Sequence, residues 1–303
     1  MPELPEVETV AQGLRRHALG RRITEVEVCH PGVIAGSPEG FAAGIEGRTI
    51  REVKRKGKVI ALALDTLKNG EALRQVGRGE ARFLVIRLGM TGQVTVVPRE
   101  SPLEAHTHVV LPLDDGREEL RFRDVRRFGR LRVASSEELE RLLGSLGPDA
   151  QQATEEEFLL AMRGRRGAIK SWLMNQQVLA GLGNIYADEA LYAARLHPMS
   201  QPGRVRPDAA RRLYRAVRRI LALAVARQGT SFRDYLDIEG QPGNYAMQLR
   251  VYQRTGLRCG RCGASIRRLL IAGRSSHFCP RCQPRPRVVA QMRGPRARNA
   301  RSE

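Results

Sequence analysis

The pattern of hydrophobic and polar residues divides the chain into a leading helix, a strand-rich half and a helical half. Within residues 5–19 the apolar positions fall on one helical face; they are Val7, Val10, Ala11, Leu14 and Ala18. Between Ile23 and Val133, short β-rich runs are separated by turn-forming residues; they are Ile23–Cys29, Val59–Leu64, Phe83–Leu88, Val94–Val97, Val109–Leu113 and Leu131–Val133. Strands with this spacing predict a β-sandwich or barrel, against which the first helix packs.

After Ser135 the apolar residues recur with a helical period. The segments predicted as helices are Glu137–Leu143, Glu155–Met162, Ile169–Asn175, Asn184–Ala194 and Pro207–Gln228. The last of these has its apolar residues on one face and its arginines on the other, and Gly229 is suited to end it. The pattern therefore predicts an α+β protein, with an N-terminal β-sandwich lobe over residues 2–134 and a C-terminal helical lobe over residues 135–250.

Three stretches fall outside this pattern. Residues 66–81 are rich in glycine and charge, which indicates an insertion between strands. Residues 251–283 form a small cysteine-rich module. Residues 284–303 contain six arginines and one glutamate with little to bury, so we expect a disordered basic tail.

The charge balance indicates a polyanionic partner. Lys and Arg together number 52 against 32 Asp and Glu, a formal net charge of +20, and nucleic acid is the leading candidate. The 42% content of hydrophobic residues is too high for a disordered basic protein. No uninterrupted apolar run, Val59–Leu64 included, approaches the length that spans a bilayer, and the N-terminus resembles neither a signal nor a transit peptide. We therefore expect a cytoplasmic protein with no membrane association.

Four of the five cysteines have the spacing of a metal site. Cys259-x2-Cys262 is followed after sixteen residues by Cys279-x2-Cys282, which matches a four-cysteine zinc module with room for a β-hairpin between the two pairs. Two disulfides or an iron site are the alternatives, and a reducing cytoplasm argues against the disulfides. Four thiolates leave no position for water, so one zinc ion would be structural. The fifth cysteine, Cys29, is expected to be a small buried hydrophobic residue.

The arginines that surround this module number six: Arg258, Arg261, Arg267, Arg268, Arg274 and Arg281. Some of them are compatible with a merely soluble surface. So many guanidinium groups around one hairpin nevertheless favour contacts with phosphates.

The N-terminus contains a candidate nucleophile. If Met1 is removed, Pro2 has a free secondary amine that titrates near pH 8 and can attack a sugar C1′ carbon. The product is an iminium ion, which acts as an electron sink for elimination, and Glu3 could act as general acid. Ordinary helix punctuation by Pro2 and Pro5 is the alternative, and from these residues alone it is the simpler one. Elsewhere Lys54, Lys56 and Lys58 alternate, so in a strand they would share one face.

Taken together, the motifs resemble those of the bacterial formamidopyrimidine-DNA glycosylases. The resemblance covers residues 2–283 and depends on the joint order of motifs that are weak singly. They are PELPEVETV at 2–10, GKVIALAL at 57–64, RLGMTGQV at 87–94, HTHVVL at 106–111, FRDVRRFGRL at 122–131, AIKSWLMNQ at 168–176, GLGNIYADEALY at 181–192 and GRSSHFCPRCQ at 273–283. It implies a β-sandwich lobe and a helix–two-turns–helix lobe with a zinc finger, with double-stranded damaged DNA bound in the cleft between the lobes by a monomer.

The resemblance also implies an activity and catalytic residues. Members of this family flip an oxidised purine out of the duplex, cut its glycosidic bond and nick the strand by β- and δ-elimination. By resemblance Pro2 is the Schiff-base nucleophile and Glu3 the acid that assists opening of the sugar ring. Lys58 matches the family's catalytic lysine. Arg274 matches the arginine at the tip of the zinc hairpin that clamps the phosphates beside the damaged nucleotide.

The same resemblance implies the DNA-binding residues. Met90, Arg126 and Phe128 match the side chains that fill the hole left by the flipped base. Asn184 begins the second helix of the helix–two-turns–helix and matches a phosphate contact, although a helix cap is its ordinary role. The remaining predicted contacts with DNA are Arg165, Lys170 and His106. His108 is expected to be structural and to share a strand face with His106.

Some departures from the family pattern are visible. Val125 replaces the usual proline before two arginines, which predicts a less rigid loop. The insertion at 66–81 and the long tail are unusual, and residues 229–252, with Thr230, Ser231 and Phe232, correspond to a loop that closes over the lesion. Two rival functions stay open, an endonuclease VIII-type glycosylase for oxidised pyrimidines and a non-catalytic zinc-containing DNA-binding protein.

Overall fold

The computed structural model describes residues 2–65, 82–114, 116–231 and 235–286. The insertion at 66–81, Phe232 and all but three residues of the predicted tail lie outside this range, so the expectations for them stay predictions. In chain order the elements are α1 (Leu4–His17), β1 (Glu27–Val28), α2 (Pro38–Ile45), β2 (Ile50–Lys56), β3 (Val59–Leu64), β4 (Arg82–Arg87), β5 (Gly92–Pro98), β6 (Thr107–Leu113), β7 (Glu118–Asp124), β8 (Arg130–Ser135), α3 (Ser136–Gly144), α4 (Glu155–Met162), α5 (Ile169–Met174), α6 (Asn184–Ala194), α7 (Pro207–Ala226), β9 (Arg267–Ile271) and β10 (Arg274–Phe278).

The N-terminal lobe is a β-sandwich, as predicted. Its two four-stranded antiparallel sheets have the orders β1-β6-β7-β5 and β2-β3-β4-β8. Strand β3 is apolar along its whole length because both of its faces are covered. Ile60 and Leu62 face the core between the sheets, where Val10 and Leu14 of α1 also lie, while Val59 and Ala61 pack in a second apolar cluster.

Several elements of this lobe differ from the prediction. The predicted strand Ile23–Cys29 is reduced to β1, and Ile23 makes only an isolated bridge. Helix α2 and strands β2 and β7 were not predicted, because glycine and proline interrupt α2 and charged residues dominate both strands. Strand β7 accommodates its charge by pairing buried Arg121 with Glu119 at 2.6 Å. The prediction that Cys29 is buried was wrong, since it is exposed beside the short β1.

The three alternating lysines do not share one strand face. Lys54 and Lys56 belong to β2, but Gly57 takes the left-handed backbone conformation, with φ of +57°, and turns the chain. Lys58 therefore lies in the β2–β3 turn. Lys54 pairs with Glu52 at the surface, while the Lys56 ammonium donates to backbone carbonyls at the end of α3.

The C-terminal lobe is helical, as predicted. Helices α4 to α7 enclose a second apolar core, and the buried stripe of α7 matches the predicted one; it consists of Ala209, Ala210, Leu213, Ala216, Val217, Ile220, Leu221 and Ala224. Helix α7 ends two residues before the predicted end, because Gln228 and Gly229 both have positive φ. None of the helices described by the structure is long and apolar enough to span a membrane.

Helix α1 and one arginine join the lobes. Leu4 belongs to the core of the helical lobe, whereas Val7 and Val10 of the same helix belong to the core of the sandwich. Arg55 of β2, whose side chain is only 3% exposed, is paired with Glu8 of α1 and with Asp149 beyond α3. The backbone N–H of Gly57 also donates to Asp149, at 2.7 Å. Removing one partner would leave a buried charge uncompensated, so this network holds the lobes in one arrangement.

The zinc-module hairpin, β9 and β10, is attached to α6. The Arg261 guanidinium lies 4.4 Å from the ring centroid of Tyr192 and donates to its carbonyl oxygen. Asp188 accepts a 2.8 Å hydrogen bond from the backbone N–H of His277 in β10. Helix α6 therefore supports the finger as well as the helical core. The predicted limits at residues 134, 250 and 283 stay predictions.

Candidate active site and nucleic-acid interface

The carboxylate of Glu3 lies at the N-terminus of α6. It accepts hydrogen bonds from the backbone N–H groups of Gly183, Ile185 and Tyr186, at 2.7, 2.8 and 3.4 Å. These N–H groups have no partner within the helix, and the helix dipole favours an anion there. Burial nevertheless raises the pKa of Glu3, while Lys58 and the three N–H groups oppose that rise. Glu3 is thus a buried carboxyl group that is both held in place and inclined to keep a proton.

Two glycines allow this approach. A β-carbon on Gly183 would lie 2.6 Å from Oε1 of Glu3, and one on Gly181 would lie 2.8 Å from Cβ of Leu4. Gly181 also has a φ of +114°, which side-chain-bearing residues rarely adopt. Since the backbone N–H of Leu4 donates to the Gly181 carbonyl at 3.0 Å, the start of α1 is fastened directly to the loop before α6. Pro2 is buried at this junction.

A second buried carboxyl group, Glu6, was not predicted as a site residue. It accepts from the backbone N–H of Glu3 at 2.7 Å and from the N–H of Thr230 at 2.7 Å. The Tyr186 hydroxyl donates to it as well and lies 2.9 Å from the Thr230 hydroxyl. Burial and the neighbouring Glu3 raise the pKa of Glu6 to about 7. The Glu3-x-x-Glu6 spacing of a helix capping box is the signal that could have identified it.

Lys58 faces the finger across a cavity of about 410 Å³, which it lines together with Lys170, Gly183 and Arg274. Burial lowers the pKa of Lys58, and Arg274 acts in the same direction, whereas Glu3 and Glu6 oppose the change. Arg274 begins β10 at the hairpin tip, directly after Ala272 and Gly273 at positive φ. The fold therefore brings together Pro2, Glu3, Lys58 and Arg274, the four residues predicted to be catalytic.

Lys170 is deeply buried, which the sequence did not indicate. Its ammonium lies 2.7 Å from Asp188 Oδ1 and donates to the Ser275 carbonyl at 2.7 Å, and the side chain is 1% exposed. Burial lowers the pKa of Lys170, and Asp188 opposes the shift. Asp188 also contacts Ser276 and His277. This unpredicted aspartate of α6 therefore fixes the strand that carries Arg274, and only its position within a helix could have been read from the sequence.

Met90, Arg126 and Phe128 lie on two adjacent turns of the sandwich. Arg126 Nη1 is 3.8 Å from the sulfur of Met90, and 58% of the Phe128 surface is exposed. The turns are joined by the buried carboxylate of Asp124, which accepts from the Thr91 hydroxyl and from the backbone N–H groups of Arg126 and Gly129. With Val125 in place of proline, Asp124 is what fixes this loop.

The remaining predicted DNA contacts occupy separate positions. Asn184 begins α6, as predicted, but Gly183 is the N-cap, and the Glu3 carboxylate bonds the first N–H groups. The alternative role of Asn184 as the helix cap is therefore not the one in the structure; its Oδ1 is buried without a hydrogen-bond partner among the described residues, and the side chain lines a second cavity with Arg274. Arg165 is exposed in the loop between α4 and α5.

The two histidines near β6 do not share a strand face. His106 is exposed at a φ of +69° just before β6, so the strand-face prediction was wrong. His108 is buried and contacts the Asp124 carbonyl at 2.8 Å, as expected of a structural residue. Only His106 is accessible to a ligand.

The four cysteines of the finger are assembled as a metal site requires. The Sγ atoms of Cys259, Cys262, Cys279 and Cys282 all lie within 4.8 Å of one another. Backbone N–H groups of Arg261 and Cys282 donate to the sulfurs of Cys259 and Cys279 at 3.4 Å, and the Tyr192 hydroxyl lies 3.3 Å from the Cys259 sulfur, where it can donate to a thiolate. Such donors stabilise thiolates, so the residues present fit a tetrahedral zinc ion.

Comparison with known proteins agrees with this arrangement in both lobes and in the finger. Residues 1–131 match the formamidopyrimidine-DNA glycosylase N-terminal domain, residues 145–235 the H2TH domain of the same enzymes, and residues 256–285 the zinc finger found in FPG and IleRS. A formamidopyrimidine-DNA glycosylase of Symbiobacterium thermophilum is 41% identical over 96% of this chain and 92% of the relative, and one of Salinispora arenicola is 42% identical over 97% and 100%. The chain belongs to the formamidopyrimidine-DNA glycosylase family.

Solved structures show the same fold. A point mutant of the Lactococcus lactis enzyme, bound to DNA containing Fapy-dG, is 31% identical, with a TM-score of 0.83 over 94% of this chain and all of that one. MutM bound to DNA containing carbocyclic 8-oxo-G gives a TM-score of 0.82 at 31% identity, over 94% and 100%. The chain is therefore a DNA glycosylase with the fold of DNA-repair enzymes, and the predicted sandwich, helix–two-turns–helix and zinc-finger architecture is confirmed.

Replacing Gly183 by alanine should abolish most activity without unfolding the protein. The added methyl group would displace the Glu3 carboxyl group from α6, and a misplacement of this kind typically costs about 100-fold in rate. Single-turnover base excision by Gly183→Ala measures the effect. Gly144→Ala is the matched control, since a β-carbon there meets nothing within 4 Å. Equal rates for both variants would contradict a requirement for the Glu3 carboxyl group at this position.

The pH dependence of stability should reveal Glu6. Its pKa of about 7 in the folded protein exceeds the usual value of 4.5, so its contribution to stability is full below pH 4.5 and is lost as the pH rises through 7. Glu6→Gln has no titrating group at this position and therefore avoids that loss. The Tm of the variant should rise relative to the wild-type Tm as the pH increases through this range, and the difference should stay constant at higher pH. Thermal unfolding in a pH series makes the comparison. Parallel curves throughout would show that Glu6 ionises normally.

Proposed function

We propose that this protein is a bifunctional base-excision-repair enzyme, which removes oxidised purines such as 8-oxoguanine and formamidopyrimidines from duplex DNA and then cleaves the strand as an AP lyase. The observation that carries the proposal is the burial of Pro2 and Glu3 at the junction of the lobes, beside Lys58 and facing the finger arginine Arg274. Membership of the family supports the same reaction class.

The N-terminal amine of Pro2, free once Met1 is removed, attacks C1′ of the damaged nucleotide. The C1′–N bond breaks, and its electron pair leaves with the base, which takes up a proton. Glu3 protonates the ring oxygen as the sugar opens, and a raised pKa suits that role. The cationic iminium that results accepts electrons when a C2′ proton is lost, so the 3′-phosphate leaves, and a second elimination releases the 5′-phosphate.

Lys58 and Arg274 would interact with the phosphates in these steps. The lowered pKa of Lys58 makes its ammonium a better proton donor to a leaving group than an exposed lysine would be. The planar guanidinium of Arg274, on the rim of the same cavity, suits two-point contact with a phosphate. Because Lys58 and Arg274 come from different lobes, bound DNA would contact both lobes at this site.

The turns that carry Met90, Arg126 and Phe128 would enter the duplex. Extrusion of a base leaves an unpaired partner and a gap in the stack. The exposed Phe128 ring can occupy the gap as a wedge, while Arg126 can pair with the orphaned base and Met90 fills the space beside it. Asp124 keeps the two turns together during insertion.

Backbone contacts would come from the helical lobe and from the exposed His106. We propose Asn184, which lines a cavity with Arg274, and exposed Arg165 as phosphate contacts. The amide N–H group of Asn184 would donate to the phosphate. Lys170, although paired with Asp188, lines the cavity and would contribute its charge at close range.

One structural zinc ion would hold the finger that carries Arg274. Cys259, Cys262, Cys279 and Cys282 would bind it as thiolates, leaving no site for water, so the ion would stabilise the fold and take no part in the chemistry. Because thiolates persist in a reducing compartment, we place the enzyme in the bacterial cytoplasm, where it would act as a monomer.

An endonuclease VIII-type preference for oxidised pyrimidines is the second candidate. The observation in its favour is that one L. lactis complex of the same fold, 30% identical with a TM-score of 0.81, contains an oxidised pyrimidine. Leu4, where the sister group commonly has glycine, favours the purine enzyme. A non-catalytic DNA-binding relative has no need of a buried carboxyl group beside Pro2.

Borohydride trapping tests the nucleophile. Protein whose loss of Met1 has been confirmed by mass spectrometry should form a covalent adduct with a duplex containing 8-oxoguanine opposite cytosine, because the reductant converts the iminium into a stable amine. One glycine added before Pro2, or N-acetylation, should abolish the adduct while DNA binding is retained. A thymine glycol duplex in parallel separates the two glycosylase candidates. Binding with neither adduct nor cleavage on both substrates would refute the enzymatic proposal.

Zinc removal should destabilise the finger and with it strand cleavage. We expect one zinc ion per chain by elemental analysis, and Cys282→Ser should lose it together with most of the cleavage activity, a fall of about tenfold or more. Cys29→Ser is the matched control, because this exposed cysteine lies outside the cluster. Zinc content that is unchanged in Cys282→Ser would contradict the site.

A further inference from the structure

A third cavity lies on the other side of the Arg55–Asp149 bridge that joins the lobes. It has a volume of about 680 Å³ and lies between α1, β2, residues 151–152 and α7. It has no residue in common with the cavity that contains Lys58 and Arg274. Its size is that of a small-molecule site, and nothing in the proposed DNA repair reaction uses it.

The walls of this cavity are strongly basic. Its lining contains four arginines, Arg15, Arg55, Arg218 and Arg219, against a single acidic residue, Glu8. Arg55 is neutralised by Glu8 and Asp149. The Glu8 carboxylate is also paired with Arg15, at 3.0 Å. One carboxylate is therefore shared by two arginines, and the cavity keeps an excess of positive charge.

The uncompensated cations come from α7. Arg218 donates one Nη1 bond to the Ala153 carbonyl, which orients the guanidinium, while its other N–H groups have no acceptor among the described residues. Arg219 is exposed and makes no hydrogen bond or ion pair within that part of the chain. Arg15, Arg218 and Arg219 line the same cavity, so an anion bound between them would reduce the repulsion among their positive charges.

We propose that this cavity binds a phosphate-bearing anion of nucleotide size. Guanidinium forks bind phosphate oxygens in two-point contacts, and the amides of Gln151 and Gln152 on the same wall can donate to or accept from the rest of the ligand. The phosphates have two sources, a free nucleotide or a second segment of DNA. Because Arg15 belongs to α1 and Arg218 and Arg219 to α7, the ligand would link elements of both lobes behind the DNA cleft.

Calorimetric titration with inorganic pyrophosphate tests the site. The full-length protein is titrated free and with its cleft filled by a short duplex that carries a stable abasic-site analogue. With the cleft filled we expect one site, weakened about tenfold or more in Arg218→Gln/Arg219→Gln, since contacts to charged groups are lost. The free protein can bind pyrophosphate at Lys58 and Arg274 as well. The matched control is Arg211→Gln/Arg212→Gln, on the same helix but outside the cavity, where each arginine is already paired with an acidic residue.

The single variant Arg219→Gln covers the case in which the double variant is unstable, because Arg219 is exposed and holds no structural bond. Two further arms separate the sources of phosphate. Adenosine diphosphate that competes with pyrophosphate identifies a free nucleotide. For a long duplex, the slope of the logarithm of the binding constant against the logarithm of the salt concentration reports the number of phosphate contacts. A slope that decreases by about one contact in the double variant, but not in the control, identifies a DNA segment. Equal pyrophosphate binding by all variants, or none by the wild type, overturns the proposal.

Discussion

The contact on which the rest of the structure depends is that between the Glu3 carboxylate and the first turn of α6. The carboxylate accepts hydrogen bonds from helix N–H groups that would otherwise be buried without partners. The same hydrogen bonds offset the unfavourable free energy of burying the carboxyl group. The N-terminus of the sandwich lobe, with Pro2 and Glu3, is thereby built into the helical lobe. The proposed reaction at Pro2 would need the two lobes in this arrangement, which would make the domain interface part of the active site.

Helix α6 extends this arrangement to the finger. Its N-terminus takes Glu3, Asp188 holds Lys170 and the strand after Arg274, and Glu189 accepts backbone N–H groups of Arg250, Val251 and Tyr252 at the entrance to the zinc module. The polar groups are buried and mutually satisfied, so their geometry is narrowly defined. One helix thus sets the positions of the acid, the buried lysine and the finger arginine relative to one another.

The positive charge of the chain is divided between two surfaces with different requirements. Beside the cavity with Lys58 and Arg274, the carboxyl groups of Glu3 and Glu6 offset part of the positive charge. Behind the Arg55–Asp149 bridge, the arginines outnumber the acids. The proposed reactive site and the proposed anion site therefore lie on opposite sides of this bridge and differ in their charge balance.

The sequence by itself determined the lobes, the helices with a strong apolar stripe, the four-cysteine site and the motifs that identified the family, because periodicity and spacing are local properties. Strand β7 and helix α2 could not be predicted from the sequence, since their charged residues and glycines fit a strand and a helix only through contacts with other parts of the chain. Tertiary structure alone decided that Glu6 is a buried partner of Tyr186 and Thr230, that Lys170 is paired with Asp188, and that Cys29 is exposed. These properties depend on burial and on contacts between residues that are far apart in sequence, and a local sequence pattern predicts neither of them.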